Sequence, residues 1–173
     1  MGQSTSAMPE QQGAESARRF AAMPVIHGHK PLGRLYRGII RALAEVVLPL
    51  GPGAPPADLD AVAVFVARYT CFMPRLLRIA LPLGLLTLQV GAFVLAPSLV
   101  PFSRMSLPRR KRYVNGWVHS RLRLFRDLIK GMKGICYLAY YSDPAVQRFL
   151  EYTPEEHVAL VKQERLVRHA QDL

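Results

Sequence analysis

From Ile79 to Ser103 the chain runs 25 residues without a charge, bracketed by Arg78 and Arg104. A helix needs about 20 mostly apolar residues to cross a bilayer, so this segment has the length. Pro82, Gln89, Pro97 and Pro101 interrupt it, and only Ile79 to Ala96 reads as uninterrupted helix. Two readings fit: a buried core helix followed by a proline-rich turn, or a helix inserted in a membrane. The positive-inside rule does not choose between them, because Arg68, Arg75 and Arg78 precede the segment and Arg104 to Arg112 follow it.

The flanking sequence is helical in period. Leu32, Leu35, Tyr36, Ile39, Ile40, Leu43, Val46 and Val47 recur at steps of three and four and predict a helix over 32–48, with Arg34, Arg37 and Arg41 on its other side. The stretch 49–58, rich in proline and glycine, ends it. Asp58 can cap a second helix over 59–73. The β-branched run there also suits a strand, but no hairpin signal or partner strand accompanies it. Pro74 can open the next helix.

A long helix is expected over 107–140, capped by Ser106 with Pro108 in its first turn. Val114, Val118, Phe125, Leu128, Met132, Ile135 and Ala139 give it an apolar stripe that Arg121 interrupts, and Trp117 beside the stripe is expected to be buried against helix 32–48 or the segment 79–96. Gly131 and Gly134 either permit close packing or weaken the helix. Asp143 caps a short helix from Pro144, and Thr153-Pro154-Glu155-Glu156 is a capping box opening a final helix to about His169. The expected fold is therefore all-α, a single helical bundle over 26–173. A polar, disordered lead is expected over 1–25, with no completed export signal despite Arg18-Arg19.

Charge narrows the partners. The formal net charge is +11, and the span from Arg104 to Lys133 holds ten basic residues against Asp127 alone. Along that helix, Arg112, His119, Arg123, Arg126, Lys130 and Lys133 form one basic stripe. Stripes of one sign weaken a helix unless an external charge balances them. Arg112, Arg123, Arg126, Lys130 and Lys133 are therefore candidate contacts for an acidic protein or anionic lipid. Tyr140 and Tyr141, just before the Ser142-Asp143-Pro144 turn, are further candidates. Nucleic acid is disfavoured, since no reading module and no interleaved aromatics for base stacking are visible.

Nothing in the sequence assembles a catalytic or metal site. His27-Gly28-His29 lacks accompanying ligands, and no nucleophile elbow, phosphate-cradling loop or dinucleotide-binding glycine motif occurs. Cys71 and Cys136 lie in apolar surroundings and are expected as buried thiols, which favours a reducing, cytoplasmic setting with membrane association open.

The pattern Phe102, Ser106, Arg110, Trp117, Ser120, Arg123, Phe125 and Leu128, with the exit Tyr140-Tyr141-Ser142-Asp143-Pro144 and Tyr152, resembles the small-subunit family (subunit 3) of gluconate 2-dehydrogenase. It also resembles the helical region preceding the flavin domain of long-chain fatty alcohol oxidases. Helix 32–48, ending in Leu48-Pro49, fits that family's opening helix. Two positions depart: Val146 and Gln147 stand where the family has Trp, and Glu151 replaces the Gly before Tyr152. The resemblance implies an accessory chain without a cofactor of its own, seated beside a flavoprotein of the glucose-methanol-choline type that carries the FAD. The alternative is a small membrane-associated helical protein with no enzyme partner.

Overall fold

The computed structural model describes Arg18, Phe20, Ala22 and residues 30–55, 57–95, 100–152 and 154–170, without the side chains of 94, 95, 154–156, 166, 167, 169 and 170. Among these residues the fold is all-α, with no strand. Seven helices follow one another: α1 Arg34–Val47, α2 Leu59–Tyr69, α3 Arg75–Leu95, α4 Leu107–Val118, α5 Arg123–Tyr141, α6 Pro144–Phe149 and α7 Pro154–Ala170. The lead expected over 1–25 falls almost wholly outside the described residues. Phe20 is described: it is buried and meets Phe65 of α2 edge-on at 5.0 Å.

α1 is the hub, touching α2, α3, α4, α5 and the 3-10 turn Phe102–Arg104. Ile39, Ile40, Leu43 and Ala44 are fully buried on it, the inward face that its three-and-four spacing sets. Pro49 stops it, and Gly53 takes a positive φ of 81° in the turn that follows. The doubtful segment after Asp58 is a helix, as expected. The Asp58 carboxylate accepts from the amides of Asp60 (2.9 Å) and Ala61 (3.1 Å). Its β-branched residues suit the interior here because Val62 and Val66 are buried, together with Phe65, Ala61, Ala63 and Ala67. A 3-10 turn, Thr70–Phe72, closes it before Pro74.

α3 begins at Arg75, earlier than the uncharged run, and passes through Pro82 without ending. Two contacts hold its second half to the body. Tyr113 of α4 donates its hydroxyl to the Leu88 carbonyl at 3.0 Å. Gln89 donates to the Ser103 hydroxyl (2.9 Å) and accepts from the Ser103 amide (3.1 Å). The polar residue inside the apolar run therefore ties down the chain's return. At Gly84 the backbone lies so near α5 that a Cβ would stand 2.9 Å from Leu128 Cδ1.

The single helix expected over 107–140 is two helices, broken between Val118 and Arg123. Hydrogen bonds that compete with the helical ladder explain the break. The Ser120 hydroxyl accepts from the Leu122 amide (3.1 Å), and the Arg126 guanidinium donates to the carbonyls of Ser120 (2.6 Å) and Arg121 (3.2 Å). The bend also stacks Trp117 on Phe125, ring centroids 4.2 Å apart. Arg121 lies in this turn, so it interrupts no apolar face. Ser106 occupies the N-cap of α4, but its side chain makes no capping bond.

Asp143 caps α6 as expected, accepting from the Ala145 amide at 2.8 Å. The capping-box residue Thr153 lies outside the described residues, but the helix it was expected to open is present as α7.

Candidate docking surfaces

One cationic side chain is used inside the fold. Arg110 is buried, and its Nε donates to the Met105 carbonyl at 3.0 Å. Its Nη1 donates to the Ala42 carbonyl (3.0 Å) and to Glu45 Oε2 (2.8 Å). One basic residue of the Arg104–Lys133 block is thus balanced by Glu45 and locks α4 to α1.

The five basic candidates do not form one line. Arg112 is exposed on α4, while Arg123, Arg126, Lys130 and Lys133 lie on α5 beyond the break. Arg123 pairs with Asp127 at 3.2 Å in a solvent-exposed i,i+4 contact, an arrangement of small energetic weight. Arg126 is half-buried and spends its donors on the turn. Lys130 is exposed, and the exposed Lys133 ammonium lies 5.2 Å from the Tyr137 ring centroid.

The tyrosine pair divides by environment. Tyr140 is buried and donates its hydroxyl to the Pro55 carbonyl at 3.1 Å, so it seals the core beneath the loop between α1 and α2. Burial, with the neighbouring Tyr141 phenol, pushes its pKa upward. Tyr141 is exposed and meets Tyr140 edge-on at 5.1 Å. It is therefore the ring of the two that faces solvent.

The expectation drawn from Tyr141 widens into a surface corner. Leu138 and Tyr141 are exposed at the end of α5, and Phe149, Leu150 and Tyr152 are exposed at the end of α6 and just beyond it. The end of α6 fixes the geometry of the last three. The Tyr152 amide donates to the Gln147 carbonyl (2.9 Å) and the Glu151 amide to the Arg148 carbonyl (3.2 Å). This is the Schellman arrangement, which places the residue after the C-cap in the left-handed region. Glu151 accordingly has φ 52°, a conformation that favours glycine. Phe149 and Leu150 carried no signal in the sequence beyond being apolar next to a helix end.

A second exposed surface lies on α3. Among the described helices, the span Arg75–Phe93 is long and apolar enough to cross a membrane by length and composition, and about a fifth of it is buried. Leu85, Leu88 and Ala92 face the body, while Leu76, Ile79, Leu83, Val90 and Phe93 are exposed. At the start of α3 a cavity of about 470 Å³ is lined by Lys30, Leu32, Thr70, Cys71, Arg75, Arg78 and Ile79. A third feature, a cavity of about 380 Å³, lies between α1 and α2 beside Arg34, Arg37 and Arg41, with Arg41 paired to Asp60 at 3.0 Å.

Trp117 is buried as expected, but its ring contacts are Tyr113, edge-on, and Phe125, stacked, on α4 and α5, in place of the expected helix 32–48 or segment 79–96. Its indole Nε1 is buried with no partner at hydrogen-bonding geometry. Burial pushes the Tyr113 phenol up to about 12, the Trp117 indole offsetting part of the rise. Cys71 and Cys136 are buried, and burial alone pushes the Cys136 thiol up to about 12. Such a thiol is a poor nucleophile and metal ligand. Among the described residues no group of three or more His, Cys, Asp or Glu side chains could hold a metal ion. The pair His27 and His29 lies outside them. Comparison with protein-family models, curated proteins and solved structures finds no match to the chain.

Proposed function

We propose that this chain is a non-catalytic accessory subunit that docks onto a flavoprotein of the glucose-methanol-choline type, the partner carrying FAD and performing the oxidation. The observation that carries the reading is the apolar corner formed by Leu138, Tyr141, Phe149, Leu150 and Tyr152. Clusters of exposed aromatic and aliphatic side chains mark interaction sites, and aromatic anchors dominate interface energetics. The corner coincides with the exit segment on which the family resemblance rests.

The departure at Glu151 fits the same reading. The family that the chain resembles has glycine where this chain has glutamate, and the Glu151 backbone adopts the conformation for which glycine is suited. A left-handed turn at this position supports the resemblance, held here at a cost in strain. The missing Trp is accommodated differently. Val146 is fully buried, and Gln147 donates its side-chain amide to the Tyr141 carbonyl at 3.0 Å, tying α6 to the end of α5.

The reading is tested by affinity purification of the tagged full-length chain from its native cells under mild conditions. The expected result is a co-purifying larger chain with flavin absorbance and fluorescence in the eluate. Tyr141→Ala combined with Phe149→Ala should lose that chain while keeping the helical circular dichroism of the wild type. An eluate without flavin, or equal recovery with the double variant, overturns the proposal.

A further inference from the structure

We infer that α3 lies in the plane of an anionic phospholipid bilayer, its exposed face dipping below the headgroups and a lipid phosphate seated in the cavity at its start. The inference does not depend on a flavoprotein partner. Leu76, Ile79, Leu83, Val90 and Phe93 recur at steps of three, four and seven and so share one side of the helix. Thr87 is the polar side chain exposed among them, and its hydroxyl donates to the Leu83 carbonyl at 2.8 Å. That face therefore brings no unsatisfied polar side chain into hydrocarbon, where such a group is costly.

The opposite side of α3 decides between lying in the membrane and crossing it. Leu85, Leu88 and Ala92 are fully buried against the body, and Gly84 lies against Leu128 of α5. A crossing helix would draw α5 in with it, and α5 carries Arg123, Asp127, Lys130 and Lys133 at its surface. Burying those charges in hydrocarbon costs more than the exposed apolar residues of one helix can return. In-plane insertion leaves the charges in water and removes the apolar face from it, the mode of interfacial helices.

Charge selects the bilayer over a protein groove as the occupant. Between Asp60 and Asp127 the chain carries eleven basic residues and no acid. Three cationic side chains, Lys30, Arg75 and Arg78, line the cavity together with Ile79, near the start of the apolar face. Thr70 and Cys71, both buried, also line it. A site with cations beside the start of an apolar face matches the order of groups in a phospholipid, phosphate outside and acyl chain beneath. Juxtamembrane Lys and Arg are drawn to anionic leaflets by this same attraction.

The experiment is flotation of the full chain with vesicles of phosphatidylcholine alone and of phosphatidylcholine mixed with phosphatidylglycerol. The wild type should float at least tenfold more strongly with the anionic vesicles, and the difference should shrink as salt rises. Arg75→Glu with Arg78→Glu should lower anionic binding at least tenfold. Leu83→Gln with Val90→Gln alters exposed side chains only and should lower binding without changing net charge or circular dichroism. A tryptophan placed by Leu83→Trp should shift its emission to the blue on vesicles and be quenched by brominated acyl chains, over the constant signal of buried Trp117. Equal flotation with both vesicle types, undiminished binding by either double variant, or a self-associated chain that ignores vesicles overturns the inference. Retention of the protein in the bilayer after alkaline carbonate extraction would point to a crossing helix and overturn it as well.

Discussion

Arg110→Met is the substitution whose cost the structure fixes best. Methionine keeps much of the side-chain volume but removes the charge and three hydrogen bonds: to Met105 O, Ala42 O and Glu45 Oε2. A hydrogen bond to a charged group contributes about 1.5–3 kcal/mol net, and bonds made by one guanidinium do not add in full. Breaking a wholly buried ion pair costs about 3–5 kcal/mol because the abandoned partner cannot be solvated. Glu45 retains 29% of its side-chain exposure and can rehydrate. The loss should therefore fall near the lower end of that range, about 3 kcal/mol. For a domain of this size that lowers Tm by roughly 6–12 °C. Arg110→Lys keeps the charge but not the fork that reaches two carbonyls and a carboxylate together, and should cost about 1–2 kcal/mol. Urea unfolding followed by Trp117 fluorescence measures both. The companion variant Arg110→Met with Glu45→Leu leaves no stranded carboxylate and should recover at least 1 kcal/mol of the loss. If Arg110→Met alone lies within about 0.5 kcal/mol of the wild type, the guanidinium is not the bolt between α1 and α4.

Glu151→Gly should stabilise the chain by up to about 1 kcal/mol by relieving the left-handed backbone at φ 52°; a loss of stability in urea titration would contradict the strain. Trp117→Ala should cost about 3–5 kcal/mol. Trp117→Phe should cost far less, because it keeps the stack on Phe125 and removes only the indole N–H and its interaction with the Tyr113 phenol. Comparable losses for the two would show that the N–H, not the ring packing, holds the site. Tyr113 has a folded pKa of about 12 against an ordinary 10, so its contribution to stability is complete below pH 10 and is lost as pH rises through 12. Ultraviolet titration between those values should show fewer ionised phenols in the native protein than in urea, and coincident curves would refute the burial. Native Cys136 should resist a thiol reagent that labels it at once in urea; equal labelling rates would place the thiol at the surface.

The elements most legible in the sequence were those whose local chemistry acts alone. Asp58 and Asp143 cap the helices they were expected to cap, and the spacing in 32–48 gives the inward face of α1 except at Leu35, which is exposed. The break between α4 and α5 was illegible because periodicity continues across it. What ends α4 is Ser120 and Arg126 taking up backbone groups, together with a gain from stacking Trp117 on Phe125. That gain exists only once the chain has turned. Gly131 and Gly134 likewise stand in open space, with nothing within 4 Å of where a Cβ would lie, so within this chain they do not serve close packing. The aromatic half of the candidate corner was visible through Tyr141. Phe149 and Leu150 were not, because apolar residues at the end of a six-residue helix read as core until the burial of Val146 shows which side faces inward.

The break also moves the electrostatic argument. A run of like charges along one straight helix would call for a countercharge outside the protein, since neighbouring cations oppose helix formation. Once the helix is broken, Arg126 has carbonyl partners in the turn, while Arg123 and Lys133 have only the exposed Asp127 contact and the Tyr137 ring within α5. The case for an external anion on α5 then rests on Arg123, Lys130 and Lys133 without Arg126, with Arg112 on another helix. At the start of α3 the balance is different. Lys30, Arg75 and Arg78 line one cavity with no acidic residue in its wall, and the nearest acid in sequence before Arg75 is Asp60. Cations that converge on a concave site beside exposed apolar residues are costly in mutual repulsion unless an anion joins them. Reversal of Arg123, Arg126 and Lys130 to Glu should therefore weaken binding to anionic vesicles less than reversal of Arg75 and Arg78 alone, although it changes more charges. The opposite order would return the electrostatic contact to α5 and leave α3 to bind by its apolar face.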